Sequence, residues 1–135
     1  MKLLTETQQA RMLANGRTNA ERMADDGNTV DFQPVVKLFT PDAGCTWLLT
    51  ELDPDEPDIA FGLCDLGMGC PELGSVRLSE IASLRGKLGL PVERDFTFAP
   101  THTLQVYARA AWRSGCITED AKALAQATGD REGAP

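Results

Sequence analysis

The chain has 135 residues, 42% of them hydrophobic and 24% charged, which is the size and composition of one globular domain able to bury a core. Thirteen basic residues against twenty acidic ones give a net charge of -7, which opposes generic binding to nucleic-acid backbones or anionic lipid. No apolar run approaches the roughly 18 residues of a membrane span, and Met1 to Glu6 falls short of a signal-peptide core, so the expected compartment is the cytoplasm.

Thr5-Glu6-Thr7-Gln8 is a capping-box pattern and predicts a helix start. Asn15-Gly16 is a stop signal and Thr18 to Glu21 a second capping box, so the region reads as two short helices reaching Met23, or as one kinked helix. The polar stretch from Ala24 to Asp31 is a connecting loop.

Val35 to Thr40 and Cys45 to Thr50 are dense in β-branched and aromatic residues. With Pro41-Asp42-Ala43-Gly44 between them they predict a hairpin whose type I turn places Gly44 in the left-handed region. Neither run alternates cleanly, so both faces should be partly covered, by helices on one side and loops on the other.

Glu51, Asp53, Asp55, Glu56 and Asp58 put five carboxylates in eight residues, with Pro54 and Pro57 excluding regular structure. Such a stretch can collect a hard cation or present charge to a basic partner. It lacks the glycine and the distal glutamate of an EF-hand loop, so we read it as a solvated acidic loop and a candidate interaction surface.

Ile59 to Asp65 alternates, with Ile59, Phe61 and Leu63 on one face and Ala60, Gly62 and Cys64 on the other, and is a third strand. Leu66 to Pro71 is a glycine-rich turn without the lysine of a phosphate-binding loop. Leu73 to Leu78 is a fourth strand, and Ser79 caps a helix through Arg85 that ends at Gly86. In the extended segment after Gly89, Val92, Phe96 and Phe98 share a face with Arg94, which would need a carboxylate such as Glu51 or Glu72 if buried.

Thr101 caps a further helix in which Leu104, Tyr107, Ala108, Ala111 and Trp112 form an apolar stripe ending at Gly115. Thr118-Glu119-Asp120 opens a last helix with Ala121, Leu124, Ala125 and Thr128 on one side, for core packing or a partner face, and Gly129 as its stop. This pair offers only Lys122 as a cation on the second helix, which argues against a helix-turn-helix reader of DNA. Residues 1–129 are expected to form the domain, with 130–135 a disordered tail.

Cys45, Cys64, Cys70 and Cys116 contain no Cys-x-x-Cys pair and His102 is the single histidine, so neither a zinc site nor any cofactor is expected. The expected architecture is α+β, a small, largely antiparallel sheet of four to five strands with N- and C-terminal helices.

KLFTPDAGCTWLLTELDPDEPD, FGLCDLG and PELGSVRLSEIASLRGKLGLPVERDFTF, in this order, resemble a family of small bacterial proteins of unknown function. The family occurs on conjugative plasmids and integrative elements, alone or attached to methylase- and helicase-like proteins. Its members carry two aromatics after the threonine of the second strand and one after Glu-Leu-Gly. Here Leu48 follows Trp47 and Ser75 follows Gly74, which weakens an aromatic binding patch there. The resemblance implies a mobile-element setting and supplies no catalytic residue.

Three functions fit these residues. The leading one is a non-enzymatic interaction module docking a protein partner, basic or belonging to DNA-processing machinery, through the acidic loop or the exposed side of the helix from Thr101 to Ser114. A second is an anti-restriction or regulatory factor whose carboxylates imitate DNA phosphates. The third is a carboxylate- or metal-dependent hydrolase using Glu51, Asp53, Asp55 or Asp58 with Arg94.

Overall fold

The computed structural model describes residues 2–129, so the tail expected at 130–135 lies outside the described residues. Helix α1 (Glu6–Asp25) precedes four strands, β1 (Val36–Phe39), β2 (Thr46–Leu52), β3 (Ile59–Asp65) and β4 (Glu72–Arg77). Then come α2 (Leu78–Ser83), the two-residue β5 (Glu93–Arg94), α3 (Leu104–Ser114) and α4 (Ala121–Gly129). The sheet order is β4-β3-β2-β1-β5 with every neighbouring pair antiparallel, an α+β arrangement of the expected class. No helix among the described residues is long and apolar enough to cross a membrane.

Helices cover both sheet faces, where loops were expected on one. Val36, Leu38, Trp47, Leu49 and Ala60 form one buried cluster with Met12 of α1, Ile81 of α2 and Val92. Leu48 and Leu63 point the other way, into a second cluster with Leu104, Tyr107, Ala108 and Ala111 of α3 and Leu124 and Ala127 of α4. The period-two alternation of β3 holds: Phe61 and Leu63 serve the second cluster, Ala60 and Cys64 the first.

α1 is one continuous helix of 20 residues, opened by the Thr5–Gln8 capping box. Gly16, read as a stop, is instead buried mid-helix. A Cβ there would fall inside the van der Waals radius of the Leu52 carbonyl oxygen, so the glycine lets the helix lie against the end of β2. Asn15 adds a hydrogen bond from its Nδ2 to the Thr50 carbonyl at 2.9 Å.

Several local expectations are corrected. Gly44 is not among the glycines with positive φ; the β1–β2 connection closes through Thr40, whose amide donates to the Cys45 carbonyl (3.0 Å) and whose Oγ1 accepts from the Cys45 amide (2.9 Å). α2 ends at Ser83, before Gly86, and it is capped from outside: Asp58 accepts from the Ser79 amide (3.0 Å) and hydroxyl (2.7 Å). α3 begins after Thr103, and Asp31 Oδ1 caps it by accepting from the Gln105 amide at 3.1 Å. Thr101 Oγ1 lies instead 2.7 Å from His102 Nδ1.

On α3, Val106 and Ala110 are buried as well, whereas Trp112 is half exposed and spends its indole N–H on the Pro71 carbonyl at 2.8 Å. On α4, Leu124 and Ala127 are buried while Ala121, Ala125 and Thr128 are exposed, and Gly129 is the last helical residue. The stripe follows Leu124 and Ala127 because α4 packs on α3 rather than directly on the sheet.

Gly16→Ala is expected to lower stability by about 1–3 kcal/mol, the range for overpacking, although alanine is the better helix former at an exposed site. Gly74→Ala on β4, where a Cβ meets nothing within 4 Å, should leave stability unchanged or raise it by about 0.5 kcal/mol. Urea unfolding of both variants reads the contrast.

Candidate functional site

Where β2 ends, the ladder to β3 slips. Leu49 pairs with Gly62 but Glu51 pairs with Phe61, so Thr50 is an extra residue in a β-bulge. Gly62 is required opposite it, because a Cβ there would run into the Leu48 carbonyl. The bulge changes the alternation, so that Leu49 and Leu52, an odd number of residues apart, join the same core cluster. Thr50 is itself buried, its carbonyl held by Asn15 and its hydroxyl 3.4 Å from the Phe61 carbonyl.

A cleft of about 660 Å³ opens between this end of β2 and β3 and the C-terminal half of α1. Met23, Leu52, Ile59 and Phe61 supply apolar walls, and Glu51, Asp53 and Asp55 supply charge. Among the described residues, no lysine, arginine or histidine is part of the lining. Met23, 61% exposed, is the largest apolar side chain that α1 leaves in solvent here.

Asn19 organises the cleft from a buried position. Its Oδ1 accepts from the Val30 amide (2.7 Å), and its Nδ2 donates to the Val30 carbonyl (3.2 Å) and to Glu51 Oε1 (2.9 Å). The paired bonds to Val30 orient the amide so that its N–H side meets the carboxylate. Burial pushes the Glu51 carboxyl above its ordinary range, and the hydrogen bonds from Asn19 and Thr50 only partly offset this.

The five carboxylates of the acidic stretch therefore do not act as one set. Asp53 Oδ1 accepts from the amides of Asp55 (2.9 Å) and Glu56 (3.4 Å), closing a turn of the loop while the residue stays exposed. Glu56 pairs with Arg77 at 3.1 Å, and Asp58 lies 3.7 Å from the same guanidinium. The Ser79 hydroxyl and amide, with Arg77, hold the Asp58 carboxyl below the usual range. Glu51, Asp53 and Asp55 face the cleft; Glu56 and Asp58 belong to the α2 junction.

Arg94 is elsewhere. It pairs with Leu38, which faces Trp47 across β1 and β2. That places it about 13 Å along the sheet from Glu51 and two strand spacings of about 4.8 Å across. Neither Glu51 nor Glu72 is its partner: the guanidinium donates to the carbonyls of Lys2 and Leu3 (3.0 Å each) and stacks over the ring of Phe96, a residue 75% exposed.

Cys45 and Cys64 pack against the first core cluster, and burial pushes the Cys64 thiol up to about 11. Cys70 and Cys116 are exposed. Among the described residues no group of three or more histidine, cysteine, aspartate or glutamate side chains could hold a metal ion.

Asn19 and Met23 were missed by sequence reasoning, although their signal was present. Met12, Gly16, Asn19 and Met23 recur at helical spacing, and a polar residue on that stripe marks a buried hydrogen-bonding group; dividing the helix at Gly16 broke the pattern.

Because folding raises the Glu51 pKa, the folded state takes up a proton more readily than the unfolded chain. The ionised side chain then subtracts stability at neutral pH, a loss that fades as pH falls below the ordinary carboxylate value. Glu51→Gln, which keeps the acceptor for Asn19, should raise the melting midpoint at neutral pH and match the unmodified chain in acid. Thermal unfolding across pH checks this, and a midpoint lowered at neutral pH would contradict it.

No curated protein and no solved structure matches this chain. The model of the family described as "Protein of unknown function (DUF2958)" matches residues 3–118, from ahead of α1 through the α3–α4 connection, and so takes in the whole sheet and the cleft. The chain belongs to that family of proteins of unknown function.

Proposed function

We propose that the chain is a non-enzymatic protein-interaction module, accessory to a mobile genetic element, that receives a basic side chain of a partner protein in the Glu51 cleft. The observation that carries this reading is a half-buried carboxylate, desolvated and, among the described residues, without a cation, between apolar walls. An arginine or lysine satisfies both features at once. Its aliphatic stem covers Ile59, Phe61 and Met23, and its charged head offsets the burial cost of Glu51 with Asp53 and Asp55 nearby.

Among the described residues the lining offers the carboxylates no cysteine, histidine or lysine, only the hydroxyls of Thr29 and Ser75, which favours binding over chemistry. The separation of Arg94 from Glu51 also favours docking over a hydrolase built on that pair. An imitation of DNA phosphates needs a row of free carboxylates, and Arg77 engages two of the five. The family resemblance supports a mobile-element setting and a partner from DNA-processing machinery, and the proposed location is the cytoplasm.

The test is calorimetric titration with a short peptide in which arginine is flanked by leucines, against the same peptide carrying citrulline. Binding of the arginine peptide should weaken roughly tenfold or more in Glu51→Gln, the loss expected for one charge-assisted hydrogen bond. It should also weaken as salt rises. Equal binding of the two peptides, or none of either, would remove the proposal.

A further inference from the structure

The end of the sheet opposite the cleft carries a surface of the complementary kind. After α2 the chain makes a tight turn: the Gly89 amide donates to the Gly86 carbonyl (2.9 Å), the Gly86 amide to the Leu90 carbonyl (3.1 Å), and Arg85 bridges to Pro91. Gly89, at φ +78°, supplies the left-handed residue.

This turn is clamped to the β1–β2 connection. Asp42 Oδ2 accepts from the amides of Leu88 (2.7 Å) and Leu90 (3.2 Å). The carboxyl group occupies the space where Gly86 would carry a Cβ, and its Oδ1 is buried there without a hydrogen-bond partner among the described residues. The clamp leaves Leu88 80% exposed and Leu84 and Leu90 41% exposed each, interleaved with the exposed cations Arg85 and Lys87.

The clamp at Asp42 precedes β2, and the Glu51 cleft lies at its far end, seven residues or about 23 Å along the strand. Leu88, held at that clamp, cannot reach the cleft of its own copy. We infer that the occupant of the cleft is a second copy of this chain, whose Leu84–Leu90 turn seats Leu88 against the apolar walls and Arg85 or Lys87 against Glu51, Asp53 and Asp55.

Charge and apolar character match on both sides of this contact: three leucines with two cations meet Met23, Ile59 and Phe61 with three carboxylates. Because the joined patches differ, each pairing leaves a free turn on one copy and a free cleft on the other, and association continues head to tail into a ring or a filament. This inference rests on the cleft being a receptor for basic, apolar segments and names the segment.

Sedimentation velocity on the full chain across a concentration series tests it. The average mass should climb beyond a single chain and fall back as salt rises. Leu88→Asp should abolish the climb, and Leu88 is exposed enough for the variant to fold. Glu51→Gln combined with Asp55→Asn should weaken it roughly tenfold or more. An equimolar mixture of the two variants, each retaining one intact patch, should give a species of two chains and nothing larger.

A mass that stays at one chain throughout, variants that assemble like the unmodified chain, or a mixture that forms no pair would overturn the inference. If the arginine peptide titrates into the cleft while the mass stays at one chain, only the identity of the occupant fails. If neither is seen, the cleft reading fails with it.

Discussion

The contact between the middle of α1 and the end of β2 is the constraint on which the rest depends. Gly16 brings the helix backbone against the Leu52 carbonyl, Asn15 holds the Thr50 carbonyl inside the bulge, and Asn19 ties Glu51 to the Val30 backbone. Three residues on one helical face thus set the helix height, stabilise the register slip and desolvate a carboxylate. A Cβ at Gly16 would meet the Leu52 carbonyl oxygen, so no larger residue permits this approach.

Around that contact the sheet is a central layer with a core on each face. Met12, Val36, Trp47 and Ile81 fill one and Leu63, Tyr107, Ala111 and Leu124 the other. Several charged groups sit at junctions, where they close connections. Asp65, itself buried, accepts from the Gly67 amide and from the Ile117 amide, both at 2.9 Å, and so fastens the glycine-rich turn and the α3–α4 connection to β3. Lys37 bridges Glu119 (2.5 Å) and Asp95 (3.4 Å), and these two carboxylates raise its pKa against the opposing effect of burial. Asp31, Asp42 and Asp58 act alike, each accepting backbone amides from a segment far away in sequence. Much of the acidity of the chain is structural in this sense, which is why only three carboxylates of the acidic stretch face the cleft.

Elements whose stability is local were legible in the sequence. The Thr5–Gln8 box starts α1, β3 shows its alternation, and Gly115, at φ +79°, closes α3 as a left-handed cap. Misreadings fell where a distant group does the work of a local one. Ser79 and Thr101 carry the right chemistry for helix caps, but Asp58 and Asp31 reach across to take those amides. Gly16 matches a stop signal, yet its lack of a Cβ serves a tertiary approach. Trp112 continues the apolar stripe of α3 but finds the Pro71 carbonyl at the edge instead of the core.

By itself the sequence determined the element types, the antiparallel α+β class and the concentration of carboxylates after β2, because hydrophobic period, turn chemistry and charge are properties of neighbouring residues. Only the tertiary structure decided which carboxylates are spent and which are open. Whether Glu51 meets an asparagine, Asp58 a serine and an arginine, or Arg94 the carbonyls of Lys2 and Leu3 depends on which distant segments packing brings together. The free energy of a charge depends on those neighbours and on how far water is excluded, neither of which is written in the order of residues.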